Sequence, residues 1–137
     1  MGRIPLGKAL EELKHEFPYL SKVEVQAYTT TKEYIFLLVP RRQRPMLVGE
    51  GGTTADSLAS KLGKRVRIIA GRDEKEIAEE ILYPVKIEGI DKIFSPEGES
   101  LKVRISKEES KRLVLTQEDA EKVLTKLLTR KTVVELE

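Results

Sequence analysis

The residues best suited to chemistry in this sequence stand four in a row: Gly49, Glu50, Gly51 and Gly52. Three glycines in four positions strip side chains from the backbone, so a ligand can approach the main chain closely. Thr53 and Thr54 then open an apolar-periodic stretch, and the free N–H groups at a helix start carry the positive end of its dipole. Such a turn suits an anion of the phosphodiester type. Just before it, Leu47 and Val48 offer apolar surface on which bases could lie, and Arg41, Arg42 and Arg44 can meet phosphates. The same four residues also describe an ordinary tight connection between two helices. A dinucleotide fingerprint is disfavoured, because that motif follows a strand directly and needs the GxGxxG spacing.

Other chemistry is thinly supplied. The single histidine, His15, lies on the polar face of a helical stretch beside Glu11 and Glu12, which reads as a surface position. Without cysteine there are no disulfides, thiolate metal ligands or thiol nucleophiles, and one histidine alone argues against a transition-metal site. The pairs Glu11/Glu12, Glu79/Glu80 and Glu108/Glu109 read as solvent-facing charge runs rather than acid/base machinery. Of the aromatic residues Tyr19, Tyr28, Tyr34, Phe36, Tyr83 and Phe94, most read as core, with Tyr28 and Tyr34 the candidates for stacking near a hairpin turn. The expectation is a protein that is not an enzyme and takes no cofactor or metal.

Charge sharpens this. The 137 residues carry 25 basic and 23 acidic side chains, a net charge of only +2. Yet residues 1 to 72 hold 13 basic against 7 acidic residues, and residues 73 to 137 hold 12 against 16. The excess concentrates in residues 41 to 72, where Arg41, Arg42, Arg44, Lys61, Lys64, Arg65, Arg67 and Arg72 face only Glu50 and Asp56. A local field of that sign attracts polyanions, although it also fits a solvated surface neutralised by the acidic half. With 39% apolar and 35% charged residues the chain has the composition of a folded domain rather than a disordered one. No stretch approaches the ~20 apolar residues of a membrane span, and charges interrupt the N-terminal segment where a targeting signal would be apolar. A cytoplasmic protein is expected. The absence of asparagine and the presence of only Gln26, Gln43 and Gln117 point to a thermophilic source.

The elements that must position the glycine turn follow from periodicity. Leu6, Ala9, Leu10, Leu13 and Phe17 fall at helical spacing up to Pro18; residues 22 to 28 and 33 to 40 alternate or run apolar as strands around the turn Thr29 to Lys32. A short helix opens at Pro45; after the glycine turn a helix with Ala55, Leu58, Ala59 and Leu62 on one face stops at Gly63, and residues 65 to 70 form a strand. The second half repeats the order. A helix covers 74 to 81 with Ile77, Ala78 and Ile81 inward, strands cover 85 to 90 and 101 to 105 around an irregular segment 91 to 100, and a short helix covers 107 to 113. Thr116 caps a longer helix with Ala120, Val123, Leu124, Leu127 and Leu128 inward, and residues 132 to 136 close as a strand. An internal repeat of about 65 residues is the main organisational feature, and no low-complexity linker divides the halves, so they are expected to pack rigidly.

The stretch MLVGEGGTTADSLASKLGKRVRII, Met46 to Ile69, resembles the signature of a type II KH domain, in which an apolar residue precedes a G-x-x-G loop and a helix leads through a Gly-Lys-Arg-Val turn into the last strand. The whole chain is similar to the archaeal NusA-like proteins, with Ile81 to Ile90 resembling their joint between two KH units and Val103 to Ala120 the segment of the second loop. The resemblance implies an α+β fold of two tandem type II KH domains (αββααβ each) with three-stranded mixed sheets packed against helices, residues 1–72 carrying the G-x-x-G loop and 73–137 a degenerate unit. KH domains hold about four nucleotides of single strand by the loop. The implied nucleic-acid contacts are therefore Gly49, Gly51 and Gly52 with Glu50, Val48, Thr53 and Thr54, and around them Arg41, Arg42, Arg44, Lys64, Arg65 and Arg67. Two departures stand out. The second loop reads Thr116, Gln117, Glu118, Asp119, with no glycine, and the first places Glu50 where lysine or arginine is usual. The expected function is single-stranded RNA binding by a monomeric NusA-like factor of transcription elongation, termination or antitermination, with RNA polymerase as a further partner. The rival expectations are a protein-interaction module that has lost nucleic-acid binding, and a KH protein of RNA processing or ribosome assembly.

Overall fold

A computed structural model describes residues 4 to 137. The chain divides into two compact units, the first ending at Ala70 and the second beginning at Gly71. Each is an α+β arrangement of one three-stranded mixed sheet packed against helices, and the two share one element order.

In the first unit α1 (Leu6–Glu16) is followed by a 3₁₀ turn (Pro18–Lys22), β1 (Ala27–Thr30), β2 (Tyr34–Leu38), a 3₁₀ turn (Arg41–Gln43), α2 (Arg44–Val48), α3 (Thr53–Leu62) and β3 (Arg65–Ile69). The sheet order is β1-β2-β3, with β1 antiparallel and β3 parallel to β2. The parallel step needs a crossover, and α2 and α3 supply it. Alternate residues Ile35, Leu37 and Val39 turn one face of β2 onto Ala9 and Leu13 of α1, Leu20, Leu47 of α2, and Leu58 and Leu62 of α3, forming a single buried cluster. On its outer side α3 is tied to α1 by Lys61, whose ammonium contacts Glu16 at 3.0 Å and Glu12 at 3.3 Å. Those two carboxylates hold Lys61 protonated to higher pH than an ordinary lysine.

The second unit runs α4 (Glu74–Leu82), β4 (Gly89–Ser95), β5 (Gly98–Ile105), α5 (Lys107–Ser110), α6 (Gln117–Leu128) and β6 (Thr132–Leu136), with sheet order β4-β5-β6 and the same antiparallel then parallel pairing. Leu101, Val103 and Ile105 of β5 are fully buried, as are Ala120, Val123 and Leu124 of α6. On α4 the buried residues are Ala78, Ile81 and Leu82, while Ile77 is only half-buried.

Several boundaries differ from the expectations of periodicity. The strand expected at 22 to 28 begins at Ala27 and runs on through Thr29 and Thr30, which the sequence suggested as turn. Val23 and Val25 do pack on the core, which produces their alternation. However, the Glu24 N–H donates to the Gln43 side chain at 2.7 Å rather than to a neighbouring strand, because the β1–β2 register ends at Ala27 opposite Leu38. The strand expected at 85 to 90 instead begins at Gly89: Val85 closes a turn by donating to the Leu82 carbonyl at 2.8 Å. Residues 91 to 100, expected to be irregular, form a hairpin with Ser95 paired to Gly98. Its apolar alternation is hidden because one face carries ion pairs, Arg104 with Asp91 at 2.8 Å and Lys102 with Glu135 at 3.1 Å, and its tip leaves Ile93 and Phe94 exposed. The helix expected over 107 to 113 stops at Ser110.

Candidate functional site

The glycine turn joins α2 to α3. Gly49 leaves α2 at φ 79°, ψ 168°, and Gly51 and Gly52 follow at φ 63° and 77° with ψ near zero, at 19° and 9°. Gly51 and Gly52 thus occupy the left-handed region, which aspartate and asparagine also enter, whereas the Gly49 combination is open essentially to glycine alone. Space makes the same distinction. A Cβ on Gly49 would stand 2.3 Å from Thr54 Oγ1 and 2.8 Å from the Thr54 amide, while a Cβ on Gly51 or Gly52 would meet nothing within 4 Å. Gly49 is therefore a packing glycine, and Gly51 and Gly52 present bare backbone to open space.

The turn is held from within. The Gly52 N–H donates to the Gly49 carbonyl at 3.1 Å, and the Thr53 hydroxyl donates to the Glu50 carbonyl at 2.6 Å. No side chain caps the start of α3, in contrast to α4, α5 and α6, which are capped by Asp73, Ser106 and Thr116. The residues Glu50–Gly52 form a 3₁₀ turn that runs into α3, and the Thr53 N–H donates to the Glu50 carbonyl, so the positive dipole end of α3 is turned toward the glycines with that first amide already bonded. Glu50, exposed, is the one charged side chain of the turn itself.

Thr54 is only 1% exposed, and its hydroxyl lies 3.0 Å from the Tyr19 hydroxyl. Tyr19 stands on the 3₁₀ turn after α1, 43% exposed, with the Phe17 ring packed edge-on at 6.0 Å. Sequence reasoning passed over Tyr19 in favour of Tyr28 and Tyr34. The contact joins residues 35 positions apart, and no local spacing announces it.

The other candidates divide by distance along the helices. Arg41 and Arg42 are exposed on the 3₁₀ turn before α2, and Arg44 is half-buried at the first position of α2, whose five residues separate it from the turn by about 8 Å. The first turn of α2 carries no acidic residue. Lys64, Arg65 and Arg67 lie beyond the other end of α3, about 15 Å from the turn. There the Lys64 ammonium donates to the Thr31 carbonyl at 2.5 Å, and the guanidinium groups of Arg65 and Arg67 lie 6.0 and 5.9 Å from the Tyr34 and Phe36 ring centres. Val48 is half-buried beside the turn. Leu47, expected to offer surface to bases, is instead 1% exposed, because the inward face of α2 carries it into the core. Tyr28 keeps 48% of its surface on β1, and His15 is exposed on α1. Among the described residues no group of histidine, aspartate or glutamate is arranged to hold a metal ion, and no helix is long and apolar enough to cross a membrane.

The equivalent place in the second unit is closed. Thr116 accepts the Asp119 N–H at 3.1 Å, so the start of α6 is capped from within. Beside it, Lys131 and Glu137 of the closing segment bond to β5, which turns the backbone groups of Thr132 and Val134 outward. Side chains of α6 meet them in turn. Thr125 Oγ1 accepts the Thr132 N–H at 3.0 Å, Glu121 accepts the Val134 N–H at 2.7 Å, and Gln117 donates to the Val134 carbonyl at 2.8 Å. Changing Thr125 to valine should speed exchange of the Thr132 amide proton by about tenfold, the loss of roughly one hydrogen bond, as read by native-state hydrogen exchange. An unchanged rate would show that this contact does not protect the strand.

No family model matches the chain and no curated protein matches it. Among solved structures, the crystal structure of APE1850 is similar with a TM-score of 0.67 at 18% identity, covering 98% of this chain and all of that one. At that identity the likeness speaks for the fold alone.

Proposed function

We propose that the chain is a single-stranded RNA-binding protein of the tandem type II KH class, gripping the backbone of about four nucleotides at the glycine turn of its first unit. The observation that carries this reading is the turn itself: bare backbone at Gly51 and Gly52, open space in front of it, and a helix start that no side chain caps. The arginines at the head of α2 supply a positive field on the approach to it. With the resemblance described above, this supports a NusA-like role in transcription elongation, termination or antitermination, with nascent RNA or RNA polymerase as partner. The second unit, whose corresponding helix start is capped and carries Glu118 and Asp119, serves structure or protein contacts.

Glu50 works against that grip, since a carboxylate near a bound phosphate costs about 1 kcal/mol even in water-like surroundings. Glu50→Lys should therefore tighten binding of a short single-stranded RNA by several-fold at low salt. The slope of log affinity against log salt should steepen by about 0.7 for the added phosphate contact. Fluorescence anisotropy across a salt titration reads both quantities, and identical curves for the two proteins would remove Glu50 from the site.

A further inference from the structure

We infer that Tyr19 is a stacking platform for a nucleobase of the strand held at the glycine turn. This inference rests on the reading of the turn as an RNA grip and adds to it an aromatic contact that the first-unit loop alone does not provide. The Tyr19 hydroxyl and Gly49 share a neighbour: Thr54 Oγ1 lies 3.0 Å from the hydroxyl, and a Cβ on Gly49 would come within 2.3 Å of it. The ring is therefore fixed beside the first turn of α3 rather than free to swing. Phe17 supports it edge-on at 6.0 Å, and 43% of its surface remains open. The ring is anchored at its far end by a hydrogen bond to a threonine that is itself 1% exposed. An anchored, half-open ring beside the start of α3 is what base stacking requires, and stacking accepts any base because each has a π-face.

The two functions of the residue can be separated. Tyr19→Phe keeps the ring and loses the hydroxyl, whereas Tyr19→Leu keeps apolar bulk and loses the π-face. Both are measured by anisotropy against a labelled eight-nucleotide single-stranded RNA and against the same oligomer with an abasic site at each position in turn, beside the wild type and the Gly51→Asp/Gly52→Asp double variant. Melting curves confirm that each variant folds. The expected result is that Tyr19→Phe binds within about twofold of wild type and Tyr19→Leu at least fivefold more weakly. On the oligomer whose abasic site removes the stacked base, the Tyr19→Leu penalty should vanish. The inference is overturned, with the reading of the turn intact, by wild-type-like binding of Tyr19→Leu while the double aspartate variant fails to bind. A penalty that persists unchanged on every abasic oligomer overturns it too, as does an equal loss in Tyr19→Phe, which would assign the effect to the Thr54 hydrogen bond. Absence of binding by the wild type itself would remove both the turn and Tyr19.

Discussion

Replacing Gly51 and Gly52 together by aspartate will weaken binding of single-stranded RNA about thirtyfold or more while the first unit stays folded. The folded part of this expectation comes from the backbone. Both glycines lie in the left-handed region, which aspartate tolerates better than most residues, and a Cβ at either position meets nothing within 4 Å. The binding part comes from charge and access. Each new carboxylate stands where a phosphate would approach, and two repulsions of about 1 kcal/mol each in water-like surroundings amount to about thirtyfold in affinity. The same side chains also cover backbone that the grip needs bare. Circular dichroism and anisotropy on one preparation check the two halves. Retained affinity in a folded double variant would show that the turn is not where RNA is held.

Gly49→Ala should do the opposite, damaging the fold through a single methyl group. At φ 79° and ψ 168° any side chain is strained by about 1 to 3 kcal/mol, and here the methyl also collides with the buried Thr54 hydroxyl at 2.3 Å. A loss of about 3 kcal/mol in stability corresponds to a fall of roughly 12 to 24 °C in the melting temperature of a unit this size. Gly51→Ala is the control: it carries a left-handed penalty of about 1 to 2 kcal/mol without the collision. Thermal unfolding should therefore rank Gly49→Ala well below Gly51→Ala. Equal melting temperatures would mean that Thr54 moves aside at little cost, and that Gly49 is not a packing requirement.

Most of the architecture was legible because its cause was local. The inward face of α6, the helix stop at Gly63 and the cap at Thr116 follow from periodicity and capping chemistry, and the structure has them; on α3 Leu58 and Leu62 turn inward as expected, while Ala55 and Ala59 are half-buried and Thr54 is buried instead. The misread segments are those where burial and strand pairing part company. Val23 and Val25 alternate like a strand and are packed like one, but a glutamine side chain takes the backbone bond that a ladder would have taken. Residues 91 to 95 are strand although their apolar residues Ile93 and Phe94 are exposed and adjacent rather than alternating inward, and Asp91 is matched by Arg104 across the sheet instead of being buried. At the candidate site the glycines, the threonines and the arginines of α2 could be named from spacing. The sequence could not rank them. Only the three-dimensional arrangement separates Gly49, which packs, from Gly51 and Gly52, which are open, and it alone sends Leu47 inward. Tyr19, one aromatic among several in the sequence, could not be set apart for the same reason, its partner being a threonine far along the chain.

The row of α6 side chains along β6 has a meaning beyond the second unit's own architecture. A strand at the margin of a sheet offers unpaired amides and carbonyls to any other extended chain, which is how folded proteins begin to aggregate or exchange strands. Thr125, Glu121 and Gln117 satisfy those groups at Thr132 and Val134 one after another, so a foreign strand arriving there would compete at each of them with a bond already made within the unit. The same helix that covers the core thus also occupies the outward-facing backbone groups of the neighbouring strand, where another extended chain would otherwise pair.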